Sequence, residues 1–142
     1  GDMGFIFPQL HPGFDAMFCI AKLIELLTVQ ERSLGQLRSE LPRITHRSVT
    51  VRCPWMVKGA LMRHMVETHA DQTLDLTDGV KIVDPLNSES WVLVLPDAGE
   101  PLVHLYGNSG DRDWVDTKLR EYRAIVQEIV EREEGIENLG QA

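Results

Sequence analysis

The chain has 142 residues, 43% of them hydrophobic and 25% charged, which suits one domain, or one domain with part of another attached, and excludes a disordered chain. Its formal net charge of −8 and pI near 5.0 argue against nucleic-acid and anionic-membrane partners, since phosphate-rich surfaces are held mainly by Lys and Arg.

The start, GDMGFIFPQL, lacks the basic segment and long apolar run of a secretory signal, and Gly1-Asp2 reads as the remnant of a removed tag on an excised fragment. Pro12-Gly13 is expected to open a first helix with Asp15 in its first turn, and Phe14, Met17, Phe18, Ala21, Ile24 and Leu27 recur at helical spacing. Ile20 and Leu23 widen that stripe, so the helix needs cover on more than one side. The segment is interrupted by Asp15, Lys22 and Glu25 and is too short to span a membrane. Ser33 and Gln36 form a capping box for a short second helix with Leu34, Leu37 and Leu41 inward, and Pro42 stops it.

From Arg43 to Arg52 the β-branched content predicts a strand. Pro54 then starts a helix from Trp55 to about Ala70, with Val57, Ala60, Leu61 and Met65 inward and Trp55 and Thr68 beside them. Strands follow at Thr73–Leu76, Val80–Val83, Trp91–Leu95 and Leu102–Tyr106. Asp78-Gly79 marks the first hairpin, and Asp84-Pro85 with Asn87-Ser88 predicts a longer turn before Trp91. The last helix runs from about Asp111 to Glu133, with Val115, Leu119, Tyr122, Val126 and Ile129 inward. The pattern is an α+β fold: an antiparallel sheet with helices on one face over 43–142, preceded by two helices over 1–42 that read as the tail of a neighbouring domain.

Charge is unevenly spread. Arg38, Arg43, Arg47, Arg52, Lys58 and Arg63 make a basic middle, read as a solvated face, whereas Asp111 to Glu137 holds nine acids against five bases. Cys19 and Cys53 lie in apolar stretches and read as small buried residues in a reducing, cytoplasmic compartment.

Few residues suggest chemistry. His64 and His69 are five apart on one helix, off the i, i+4 spacing that puts two ligands on one face, and neither cysteine belongs to a CxxC, so no metal site is read. There is no GxSxG elbow, Walker loop or GxGxxG, and no catalytic residue is assigned. The remaining candidate is the turn Pro96-Asp97-Ala98-Gly99-Glu100-Pro101, whose small residues would let backbone amides face an oxyanion. The residues alone favour a tight hairpin without ligand, because Asp97 and Glu100 would repel a phosphate dianion.

The order of these pieces resembles the C-terminal end of the α-D-phosphohexomutases, the phosphomannomutase and phosphoglucomutase family. That family ends in a TATA-binding-protein-like β-α-β-β-β-α domain with a phosphate turn of pattern R-P-S-(G/N)-T-E-P followed by R-x-Y. Here the matching stretch is L-P-D-A-G-E-P followed by H-L-Y, supported by DGVKIV before W-V-L-V, by CPW-x-x-KG, and by FDAMF-x-x-AKLIELL. The chain is most similar to the phosphomannomutase-like part of bacterial proteins that carry a sugar-1-phosphate nucleotidyltransferase, such as a mannose-1-phosphate guanylyltransferase fusion.

The resemblance makes the phosphate-turn equivalents Leu95, Asp97, Ala98, Gly99, Glu100 and His104. It places Leu95 and His104 where the family has Arg, and Asp97 and Gly99 where it has Ser and Thr. Loss of one charge-assisted hydrogen bond removes about 1.5–3 kcal/mol, so the turn is expected to be degenerate. Gly4 and Phe5 align with the end of the family's sugar loop G-E-x-S-G-H, with Phe5 for His and Met3 for Ser, and that loop too reads as degenerate. The phosphoryl-carrying Ser and the acidic Mg²⁺ loop belong to other family domains, so Mg²⁺ is expected for the parent protein and no cofactor for this region. The expected role is a non-catalytic region of a protein of sugar-phosphate or nucleotide-sugar metabolism, binding a sugar phosphate weakly if at all and packing against upstream domains. Two alternatives are an active phosphohexomutase in which Arg43, Arg47 or Arg52 takes over the phosphate, and an oligomerisation module that pairs through the apolar first helix.

Overall fold

The computed structural model describes residues 4–140, with side chains to residue 135. The chain divides into two compact units, Gly1–Pro42 and Arg43–Ala142.

The first unit departs from the expected pair of helices. It opens with a two-stranded antiparallel hairpin, β1 (Ile6–Phe7) and β2 (His11–Phe14), and Pro12-Gly13 lies inside β2 rather than at a helix start. Proline is tolerated there because a strand of so small a ribbon has an edge that needs no ladder donor. Helix α1 (Ala16–Val29) begins two residues after Phe14, the first residue of its expected stripe, because Asp15 is its N-cap and accepts a 2.9 Å bond from the Phe18 amide. Helix α2 (Leu34–Glu40) has the predicted capping box, with Ser33 and Gln36 bonded reciprocally at 3.3 and 2.7 Å. Neither helix contains a buried residue, and Met17 is 84% and Ile20 60% exposed.

The second unit is a five-stranded antiparallel sheet in the order β3-β7-β6-β5-β4 with two helices on one face. Its elements are β3 (Thr45–Arg52), α3 (Trp55–Thr68), β4 (Leu74–Asp75), β5 (Val80–Asp84), β6 (Asn87–Pro96), β7 (Leu102–Ser109) and α4 (Arg112–Gly140). Alternation along β7 sends Val103 and Leu105 into the core, where they meet Leu61 and Met65 of α3 and Val115 and Val126 of α4. Leu102, His104 and Tyr106 point to the opposite face. At the end of the sheet the hydroxyls of Ser90 and Ser109 bond each other at 2.7 Å, which satisfies two polar groups in the core.

Several local expectations change. β6 starts at Asn87, so the turn after β5 is tight, and the longer excursion becomes a register shift at Val83/Asp84. α3 ends at Thr68, where His69 Nδ1 lies 2.9 Å from the Met65 carbonyl. Trp55 and Thr68 are exposed rather than inward. Cys53 is buried as expected, and burial pushes its thiol pKa up, whereas Cys19 is half-buried.

Two outcomes follow from this packing. Residues 43–142 expressed alone should unfold cooperatively, whereas 1–42 alone should show no cooperative transition by calorimetry, since none of its described residues is buried. Gly79→Ala should lower unfolding free energy by about 1–3 kcal/mol in urea titration, because a Cβ there would lie 2.5 Å from the Val94 carbonyl oxygen.

Candidate functional site

The turn between β6 and β7 is built from beneath. The Asp97 amide donates to the Leu102 carbonyl at 3.1 Å, the Leu102 amide to the Glu100 carbonyl at 2.8 Å, and the Cys53 amide to the Pro101 carbonyl at 2.8 Å. Lys58 of α3 adds the strongest tie. Its ammonium donates to the carbonyls of Asp97 and Glu100 at 2.6 and 2.5 Å and lies 3.7 Å from the centre of the Trp55 ring. Only 9% of Lys58 is exposed, so its place in a solvated basic face is overturned: the α3 turn beginning at Pro54 carries it under the hairpin.

Above this support two successive amides converge on one oxygen. Gly99 and Glu100 donate to Asp97 Oδ1 at 2.7 and 2.8 Å, so the donors that small residues were expected to aim at an oxyanion are aimed at one that the chain supplies. The other carboxylate oxygen, Oδ2, receives His104 Nε2 at 2.8 Å, and His104 Nδ1 lies 3.2 Å from Thr50 Oγ1. With Nε2 as the donor, Nδ1 accepts from the Thr50 hydroxyl. The His104 bond, followed by the two amides, holds the Asp97 carboxyl at a pKa of about 2, well below its usual 3.8.

The structure brings Asp97, Gly99, Glu100 and His104 together. Leu95 pairs with His104 across the sheet, Ala98 and the Glu100 side chain face solvent, and Gly4 and Phe5 belong to the other unit. Met3 lies outside the described residues. Sequence reasoning missed Lys58 and Thr50. Lys58 stands one position after inward Val57 and three before Leu61, a spacing that fits the same helical face. Of the three expected substitutes for a phosphate-binding Arg, Arg43, Arg47 and Arg52, the latter two are engaged by Asp116 at 3.3 Å and Glu134 at 2.9 Å on α4. Among the described residues no group of three or more His, Cys, Asp or Glu is placed to hold a metal ion, and no helix is long and apolar enough to cross a membrane.

Fold and turn together define an α+β domain that presents an oxyanion-shaped hairpin turn on an open-faced antiparallel sheet. No protein-family model matches the chain. Its curated relatives include the "Probable phosphoglucosamine mutase" of Methanopyrus kandleri, 31% identical over 126 residues, that of Pyrococcus furiosus, 25% identical over 132, and that of Methanococcoides burtonii, 30% identical over 127. These alignments cover 88–89% of this chain but 28% of each relative, so the chain spans a little over a quarter of their length. Over that region the chain is similar to part of proteins named phosphoglucosamine mutase.

Two measurements probe the turn. Lys58→Met should lower unfolding free energy by about 2–3 kcal/mol in urea titration, because two turn carbonyls lose a charged donor. Asp97 has a depressed carboxyl pKa, so the stability it contributes is complete above pH 3.8 and fades as pH falls towards about 2. Its carboxyl carbon should titrate near that lower value by NMR, and Asp97→Asn should flatten the pH dependence of unfolding across the same window.

Proposed function

We propose that this chain is the phosphate-turn region of a phosphohexomutase-like protein of sugar-phosphate metabolism, in which the turn keeps its shape but takes no external phosphate. The observation that carries this reading is the Asp97 carboxylate, which already receives the amides of Gly99 and Glu100 and the His104 ring. A phosphate would have to displace it and then sit beside the carboxylates of Asp97 and Glu100. Chemistry on the sugar phosphate, and any Mg²⁺ it uses, belongs to the remainder of the whole protein. The mutase names of the relatives favour a mutase parent over a nucleotidyltransferase fusion. The exposed apolar side chains of α1, among them Met17, Ile20 and Ile24, fit a helix covered in the whole protein by upstream polypeptide.

A titration of the ¹⁵N-labelled chain with glucosamine 1-phosphate and mannose 1-phosphate tests the reading. The Gly99 and Glu100 amide resonances should stay in place through millimolar ligand. Saturable movement of both in that range would overturn the proposal.

A further inference from the structure

We infer that Thr50, His104 and Asp97 form a nucleophile–base–carboxylate relay on the open face of the sheet, and that this relay makes the Thr50 hydroxyl a site of covalent acylation by an activated acyl ester. The inference goes beyond the reading of the turn given above and does not depend on whether that turn takes phosphate.

The relay is assembled by strand pairing. Thr50 of β3 stands directly opposite His104 of β7, and directly opposed residues share a face, here the one turned away from α3 and α4. His104 Nδ1 lies 3.2 Å from Thr50 Oγ1, and its Nε2 lies 2.8 Å from Asp97 Oδ2. An ionised carboxylate only accepts, so Nε2 carries the ring proton and Nδ1 turns its lone pair to the hydroxyl. Both distances fall within the reach of a general base and its orienting group, about 2.6–3.2 Å, and such a relay is recognised by roles rather than by chain order. Among the described residues the Thr50 hydroxyl has no other hydrogen-bond partner, so its proton is committed to the imidazole.

The carboxylate is held so that it cannot swing away from the ring. Its Oδ1 receives the Gly99 and Glu100 amides at 2.7 and 2.8 Å, which leaves Oδ2 to His104. Exposure is graded in the useful sense: Thr50 is exposed, whereas the side chains of His104 and Asp97 are 26% and 28% exposed. Ser48 lies two residues earlier on the same face, is also exposed and has no imidazole bonded to it, so the chain carries its own reference hydroxyl.

In the proposed step Thr50 Oγ1 attacks the ester carbonyl while its proton passes to His104 Nδ1. The tetrahedral intermediate collapses, the bond to the leaving group breaks, and that group departs as an anion with the electron pair. His104 then loses the proton to solvent, leaving an O-acyl threonine. A positioned base contributes roughly 10²–10⁴-fold, so an ester whose leaving group needs no protonation is the class the relay can use.

The test treats the full chain with p-nitrophenyl acetate and reads each labelled peptide by mass spectrometry. Thr50 should be acetylated at least about tenfold faster than Ser48, and His104→Ala should bring Thr50 down to the Ser48 rate. Thr50→Ser should keep the label at position 50. In Asp97→Asn the amide oxygen can stay on the Gly99 and Glu100 amides, which turns the NH₂ group to Nε2 and moves the ring proton to Nδ1. The ¹⁵N resonances of His104 should therefore exchange character and labelling of Thr50 should fall, a signature that a merely structural carboxylate would not produce. His104→Gln replaces His104→Ala if the latter loses its dispersed amide spectrum. Labelling of native Thr50 no faster than Ser48, or undiminished labelling in a folded His104 or Asp97→Asn variant, would overturn the inference.

Discussion

The ammonium of Lys58 is almost out of water, and taking a cation out of water costs several kcal/mol unless polar groups replace its hydration. Here the replacements are two carbonyls at 2.6 and 2.5 Å and the face of Trp55, and both carbonyls come from one turn. The turn must therefore sit over the start of α3. Because the turn joins β6 to β7, this one residue couples the first helix of the domain to the central strands of its sheet. It also explains why Trp55 stays at the surface, since its ring covers the cation rather than the core.

A turn held in that way offers its amides outward regardless of what they bind. In this chain they bind Asp97, and the geometry of that contact accounts for the carboxyl's depressed pKa: a hydrogen bond from His104 and two from the backbone all stabilise the charged form. Arg47 and Arg52 are drawn to acids of α4, so the basic stretch that looked like one face in sequence is divided between a helix, a strand edge and the underside of a turn.

The first unit poses the opposite problem. Its helices are well capped by Asp15 and Ser33, yet they bury nothing within the unit. Caps are local interactions that define where a helix starts, whereas most helical stability in proteins comes from packing an apolar face. An aromatic contact such as Phe7 with Phe18, ring centres 4.8 Å apart, is too little to replace a core.

The sequence by itself determined the α+β pattern, the capping boundaries at Ser33 and Pro54, and the inward stripe of α4, because those depend on periodicity and on bonds between residues three or four apart. It also marked the turn at Asp97–Glu100 as the one place worth testing for an anion. What it did not contain was the direction of the side chains at that turn. Repulsion between Asp97 and a phosphate was legible from charge alone, and the carboxylate folds back locally onto the amides two and three residues ahead, but the capture of its other oxygen by His104, seven residues away across the hairpin, is a tertiary contact. Lys58 and Asp97 are separated by 39 residues, and only the packing of α3 beneath the sheet brings the ammonium to the turn. The short strands β1 and β2 escaped notice for a related reason: Pro12-Gly13 reads locally as a helix start, and only pairing with Ile6 and Phe7 makes it a strand. Local chemistry thus set the elements, and contacts distant in sequence decided what the turn holds.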